Sequence, residues 1–311
     1  MAYVIVTGKD YMDIDMLAGT QALYEMMLLQ GKEVYVQTKK TYSSSVTSEM
    51  LQKVMEFPRK DIEIQDELFA VDVSSVDYLG EQCGYPLEQF VALYDHHFES
   101  IDFWKDRLGE MAVIEEVGAA GTLVYELIQQ NGLIEKIGDG TKMLLAAAII
   151  SNSQNFKFSM TTDRDRNAYN ELASELGLKK DFPEEYLLSV QEEIASDVMR
   201  SLANDMKTRV ALTEQTFGIA QLEMWNTGLF LQKNKDQIID FLQDNDSEIK
   251  FFLSASLVED KTYFVISDDV AQEFLENLLS LKFKDKIASL PVIMLRKEVV
   301  KLILEKSCKN K

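Results

Sequence analysis

Asp95-His96-His97 joins the only two histidines of the chain to an aspartate. Neutral imidazole is a common metal ligand, and a neighbouring carboxylate can fix its tautomer by accepting the other ring proton. Read alone, the triplet fits two surface histidines in a loop better than a metal site. Other acids supply context. Asp13 and Asp15 stand two apart in Gly8-Lys9-Asp10-Tyr11-Met12-Asp13-Ile14-Asp15, and Asp72 follows the apolar run Leu68-Phe69-Ala70-Val71. In extended backbone, carboxylates two apart face one side. Alternatively, Asp13 or Asp15 caps the helix that follows.

The elements that must position these residues alternate strand and helix. Tyr3–Val6, Glu33–Thr38, Leu68–Ser75, Phe90–Tyr94 and Met111–Glu116 read as strands, being apolar, β-branched or aromatic. Met16–Leu29, ended by Gly31, and Ser44–Phe57 read as helices. This order predicts a mainly parallel sheet flanked by helices, with Asp72 and Asp95-His96-His97 at the strand ends where α/β proteins bind ligands. Gly118-Ala119-Ala120-Gly121-Thr122 opens a further helix; its small residues suit either anion approach to backbone N–H groups or tight packing. Lys142–Ile150 reads as a core helix leading into Ser151-Asn152.

A polar break over 177–185 separates a first domain, 1–185, from a smaller α/β domain, 195–311. The latter shows strands at Val210–Thr213, Phe217–Leu222, Lys250–Glu259 and Lys261–Asp268, and a helix near Asp269–Leu281. The formal net charge of −20 argues against binding a nucleic-acid duplex but allows carboxylates to hold cations that then attract a phosphate. No apolar run reaches membrane-spanning length, so no membrane partner is expected. Cys83 and Cys308 have no metal-type spacing, and with no basic leader the expected setting is cytoplasmic.

In chain order, Asp13-x-Asp15, Asp72, Asp95-His96-His97, Leu144–Lys157 around Ser151-Asn152, and Thr161-Thr162-x-x-Asp165 resemble the DHH phosphoesterase superfamily. The resemblance runs over nearly the full chain. It is strongest to the branch holding family II inorganic pyrophosphatases, exopolyphosphatases and prune-type proteins. Asp205-Met206-Lys207 and Leu295-Arg296-Lys297 resemble that branch's substrate-binding positions.

The resemblance implies two domains across a cleft and one or two Mn²⁺, Mg²⁺ or Co²⁺ ions. Asp15, Asp72, His96 and the Asn152 position would form one metal site. Asp13, the bridging Asp72 and the Lys9 position would form the other. His97 would contact substrate, Asp95 would orient its neighbours, and Lys207, Arg296 and Lys297 would bind phosphates. A homodimer through the N-terminal domain is also implied. The implied reaction is hydrolysis of a phosphoanhydride, in pyrophosphate or short polyphosphate, by water that the metal activates.

Two positions depart from the pyrophosphatase pattern: Lys9 replaces a metal-binding histidine and Asn152 replaces an aspartate. Three carboxylates beside one ammonium suit a single divalent ion, with Lys9 partly replacing the second. The departures also fit a non-enzymatic relative that binds phosphate ligands as a sensor or interaction protein. The basic residues have a plainer reading too, as a solvated charged surface.

Overall fold

The structure, a computed structural model, describes residues 2–8, 11–38, 40–98, 100–209 and 215–309. Two compact units emerge, one of residues 1–156 with 160–183, the other of 157–159 with 184–311.

The first unit holds β1 (Tyr3–Val6), β2 (Val34–Gln37), β3 (Glu67–Val71), β4 (Phe90–Asp95) and β5 (Ala112–Ile114), in the order β2-β1-β3-β4-β5. Every neighbouring pair is parallel, as the alternating sequence pattern predicts. Its helices are α1 (Ile14–Leu29), the short α2 (Ser48–Leu51), α3 (Ile101–Leu108), α4 (Ala120–Gln130), α5 (Asp139–Asn152) and α6 (Asp163–Leu176). α1 is buried almost all round, which suits a helix packed against β2 and β3 on one side and α4 and α5 on the other. Gly19 allows this approach, since a Cβ there would lie 2.4 Å from Val71 Cγ1.

The helix expected over Ser44–Phe57 is reduced to one turn. Tertiary partners take the backbone beyond it: Met55 N–H donates to Gln21 Oε1 at 2.8 Å, and the Lys53 carbonyl accepts from Gln21 Nε2 at 3.0 Å. Pro58 lies farther on, where its carbonyl accepts from Val36 N–H at 3.0 Å beside the sheet edge.

The second unit contains α7 (Phe182–Ser196), α8 (Val198–Asp205), β6 (Lys207–Arg209), β7 (Phe217–Gln221), α9 (Thr227–Gln243), β8 (Ile249–Ser256), β9 (Lys261–Ile266), α10 (Asp269–Leu279), β10 (Ile287–Leu290) and α11 (Arg296–Lys309). α7 begins in the first unit and continues into the second, so regular helix occupies part of the segment that reads as a polar break. The sheet order is β10-β9-β8-β7-β6, antiparallel except between β7 and β8. The strand expected at Val210–Thr213 lies outside the described residues. Phe217, Phe251, Phe264, Leu275 and Val299 fill the core of this sheet. Among the described residues, no helix is long and apolar enough to cross a membrane.

Asp66, just before β3, shows how the first unit is pinned at its edge. Its carboxylate accepts from Ala2 N–H at 3.0 Å, Lys60 Nζ at 2.8 Å and Glu63 N–H at 2.9 Å. Burial pushes the carboxyl up, but these donors and the Lys60 charge outweigh it and bring it from 3.8 down to about 2. A depressed native pKa stabilises the fold above the unfolded value and loses that contribution as pH falls through the native one. Stability should therefore fall between about pH 4 and pH 2. Asp66→Asn should remove that part of the acid transition and cost about 1–3 kcal/mol at neutral pH, read by denaturant titration across pH.

Candidate metal centre

The β3–β4 register builds the site. Val71 pairs with Tyr94, and Asp72 N–H donates to the Tyr94 carbonyl at 2.9 Å, so Asp72 and Asp95 leave the sheet side by side. Asp72 has a left-handed backbone (φ +60°), a conformation Asp adopts more readily than bulkier residues. Asp95 is fully buried and turns its Oδ1 back onto the next two residues. It accepts His96 N–H at 2.7 Å, His97 N–H at 3.1 Å and His97 Nδ1 at 2.8 Å. Burial would raise this carboxyl, but the two histidines and Ser74 hold it below the ordinary carboxylate range. One oxygen of Asp95 thus ties the backbone of both histidines and the ring of His97.

His96 is buried, and its Nδ1 lies 3.2 Å from the Val117 carbonyl, in the segment after β5. A carbonyl only accepts, so a neutral His96 carries its proton on Nδ1 and turns the Nε2 lone pair toward Asp72 Oδ1, 3.4 Å away. In that tautomer two acceptors face each other in a buried place, a pairing that a cation would favour. His97 Nδ1 stands 3.6 Å from the same oxygen. Asp72, His96 and His97 can each offer an atom within 4.8 Å of the others, which is compatible with one ion.

Asp15 and Asp13 have helix-capping tasks of their own. Asp13 Oδ1 caps α1, accepting from Asp15 N–H at 3.0 Å and Met16 N–H at 2.9 Å. Asp15, fully buried, accepts Ala120 N–H and Gly121 N–H at 2.7 Å each, one on either oxygen. Asp165 takes the preceding pair, Gly118 N–H at 2.9 Å and Ala119 N–H at 3.3 Å. The small-residue opening of α4 is occupied by the protein's own carboxyl groups. Burial, then the Asp13 charge, pushes Asp15 up to about 8 despite the two amides and His97. A bound cation would reverse that balance. The interaction with His97 sets Asp15 within electrostatic reach of the histidine cluster, although Asp13 and Asp15 are not members of the tight trio with Asp72.

The remaining expected residues divide between the units. Asn152 is the last residue of α5, half-buried, and Lys9 lies outside the described residues. In the second unit, Lys207 opens β6 and is exposed, while Arg296 and Lys297 open α11. Lys297 Nζ lies 4.3 Å from the centre of the Phe158 ring. Sequence reasoning missed the Val117 carbonyl, which fixes the His96 tautomer, because a backbone acceptor has no residue signature. The Thr161–Asp165 run reads as a capped helix start, and Thr162 and Asp165 form the capping box of α6; the reach of Asp165 to Gly118 and Ala119 has no such local signature.

Asp72 and Asp95-His96-His97, which carry the resemblance to the DHH phosphoesterases, stand at the carboxyl ends of adjacent strands of the five-stranded parallel sheet. In sequence and fold, the chain resembles the family II inorganic pyrophosphatases of that superfamily. Over 249 residues, 76% of the chain, it is 26% identical to a "Probable manganese-dependent inorganic pyrophosphatase" of Thermotoga maritima, and the match spans 42% of that relative's length. It is 27% identical over 223 residues to a protein of the same name from Shouchella clausii, covering 68% of each. A Methanococcus jannaschii crystal structure assigned to the family II inorganic pyrophosphatases superposes with a TM-score of 0.70 over 99% of both chains, at 20% identity, and so shows the shared fold. No protein-family model matches the sequence.

Proposed function

We propose that this chain is a divalent-metal-dependent phosphohydrolase acting on the phosphoanhydride bond of pyrophosphate or a short polyphosphate. The observation that carries the reading is the placement of the buried His96 ring, with Nδ1 3.2 Å from the Val117 carbonyl and Nε2 3.4 Å from the Asp72 carboxylate. Buried acceptors arranged in this way suit Mn²⁺, the metal in the names of the sequence relatives. Asp72 and His96 would hold the ion, with Asp13, Asp15 and Asn152 as the further ligands that the family pattern assigns. When bound, the metal supplies Lewis acidity toward water and charge neutralisation toward phosphate.

The chain's own residues do the rest. Asp95 accepts the His97 Nδ1 proton and sets that ring's orientation and tautomer. His97, on the exposed side of the cluster, contacts the phosphoryl oxygens and stabilises charge that develops there. Lys207, Arg296, Lys297 and Lys9 are assigned to phosphate recognition. The competing reading, a phosphate-binding relative without turnover, draws on Asn152 and on the engagement of both Asp15 oxygens by α4.

Phosphate release from pyrophosphate, triphosphate and dinucleotides, with Mn²⁺ or Mg²⁺, discriminates the two. Metal-dependent release from pyrophosphate or triphosphate is expected. Binding without release from any substrate would select the second reading.

A further inference from the structure

We propose that Asp205 is a positioning residue that presents one edge of the Arg296 guanidinium to a phosphoryl group. The inference rests on the phosphate-binding reading above and assigns a role to a side chain that reading leaves unused. Asp205 is the last residue of α8, and Arg296 is the first of α11. Their side chains meet end-on: Nη1 donates to Asp205 Oδ2 at 2.6 Å and Nη2 to Oδ1 at 3.2 Å. Nη1 also donates to the backbone carbonyls of Asp205 at 2.9 Å and Ile219 at 3.0 Å.

The backbone of α11 is tied to the same place. Arg296 N–H donates to Gln221 Oε1 at 2.5 Å, and Gln221 N–H donates to Asp205 Oδ2 at 2.6 Å. Asp205 therefore joins α8, β7 and α11 through a single carboxylate.

A guanidinium has five N–H donors in one plane, arranged as an end-on fork (Nη1 with Nη2) and a side-on fork (Nε with Nη2). Three acceptors occupy Nη1, and Asp205 takes one hydrogen of Nη2. Among the described residues, no hydrogen bond is recorded from Nε. The side-on fork is consequently the edge left to donate to two oxygens of a phosphate. Its direction is set before any ligand arrives, on a side chain only 14% exposed. A guanidinium held in this way loses little freedom on forming a bidentate pair, which favours affinity.

Asp205→Asn tests this with the network largely kept. An amide oxygen in the Oδ2 position still accepts Gln221 N–H and Nη1, while the NH₂ group faces Nη2 and the charge is gone. In the full chain with Mn²⁺, KM for pyrophosphate should rise about tenfold and kcat should stay within about threefold. Asp205→Glu should recover part of the loss. A second measurement does not need turnover. In protein labelled with ¹⁵N-arginine, the Arg296 Nε–H resonance, assigned by its disappearance in Arg296→Lys, should shift on addition of inorganic pyrophosphate. In Asp205→Asn it should exchange faster with water.

An unchanged KM and an unchanged Nε–H resonance in Asp205→Asn would overturn the inference and leave the hydrolase reading intact. A wild-type resonance indifferent to pyrophosphate would overturn the phosphoryl site at Arg296. A resonance that responds in a wild-type protein releasing no phosphate would end the hydrolase reading and support the positioned fork.

Discussion

His96→Asn is expected to weaken Mn²⁺ binding at least ~100-fold and to reduce phosphate release in proportion, while the melting temperature moves little. The two ring nitrogens of His96 do separable work. Nδ1 holds the Val117 carbonyl, and Nε2 faces Asp72. The asparagine amide nitrogen reaches about as far as Nδ1, so the bond to Val117 survives and the buried acceptor keeps its donor. Nothing then occupies the place of Nε2. Glutamine has the opposite reach, putting its terminal atoms near Nε2, so His96→Gln should retain more of the metal affinity. Isothermal titration with Mn²⁺, paired with thermal melts of both variants, reads this directly. Equal affinity losses in the two variants, or a collapse of stability in His96→Asn alone, would contradict the assignment of ligand atom.

This centre was legible in the sequence to the extent that strand periodicity places residues. The runs before Asp72 and Asp95 are buried strands, and parallel pairing of adjacent strands brings their ends together. The capping role of Asp13 was one of two readings available from its spacing, and the structure shows it. For Asp15, spacing alone could not reveal that it spans more than a hundred residues of sequence to reach the amides of Ala120 and Gly121. Such a pairing depends on α1 and α4 packing against each other, a tertiary fact. The same limit explains the shortened helix after Ser48. Leu51 and Met55 look like core positions in a periodic run but are partly exposed, because Gln21 from the buried α1 claims the backbone there. In the second unit, the four residues of β10, Ile287–Leu290, alternate too briefly to stand out in sequence from their surroundings.

Asp165→Ala should cost about 3–5 kcal/mol of stability, among the largest effects of any single polar substitution outside the metal cluster. Asp165 is fully buried, and its two oxygens receive five donors: Gly118 N–H, Ala119 N–H, Thr122 Oγ1, Thr162 N–H and Thr162 Oγ1. Alanine strands these groups in a place too tight for easy hydration, as Gly118 shows: a Cβ there would already lie 3.2 Å from the carboxylate. The damage should extend to the metal centre. Asp165 holds the two amides ahead of the pair that holds Asp15, so loosening residues 118 and 119 frees the start of α4 and, with it, the placement of Asp15. Asp165→Asn keeps one acceptor oxygen and should fall between wild type and alanine in both respects. Urea titration gives the stability, and Mn²⁺ titration at a denaturant-free, fully folded temperature gives the coupling. A destabilised variant that binds Mn²⁺ as tightly as wild type would show that α4 and Asp15 are positioned independently of Asp165.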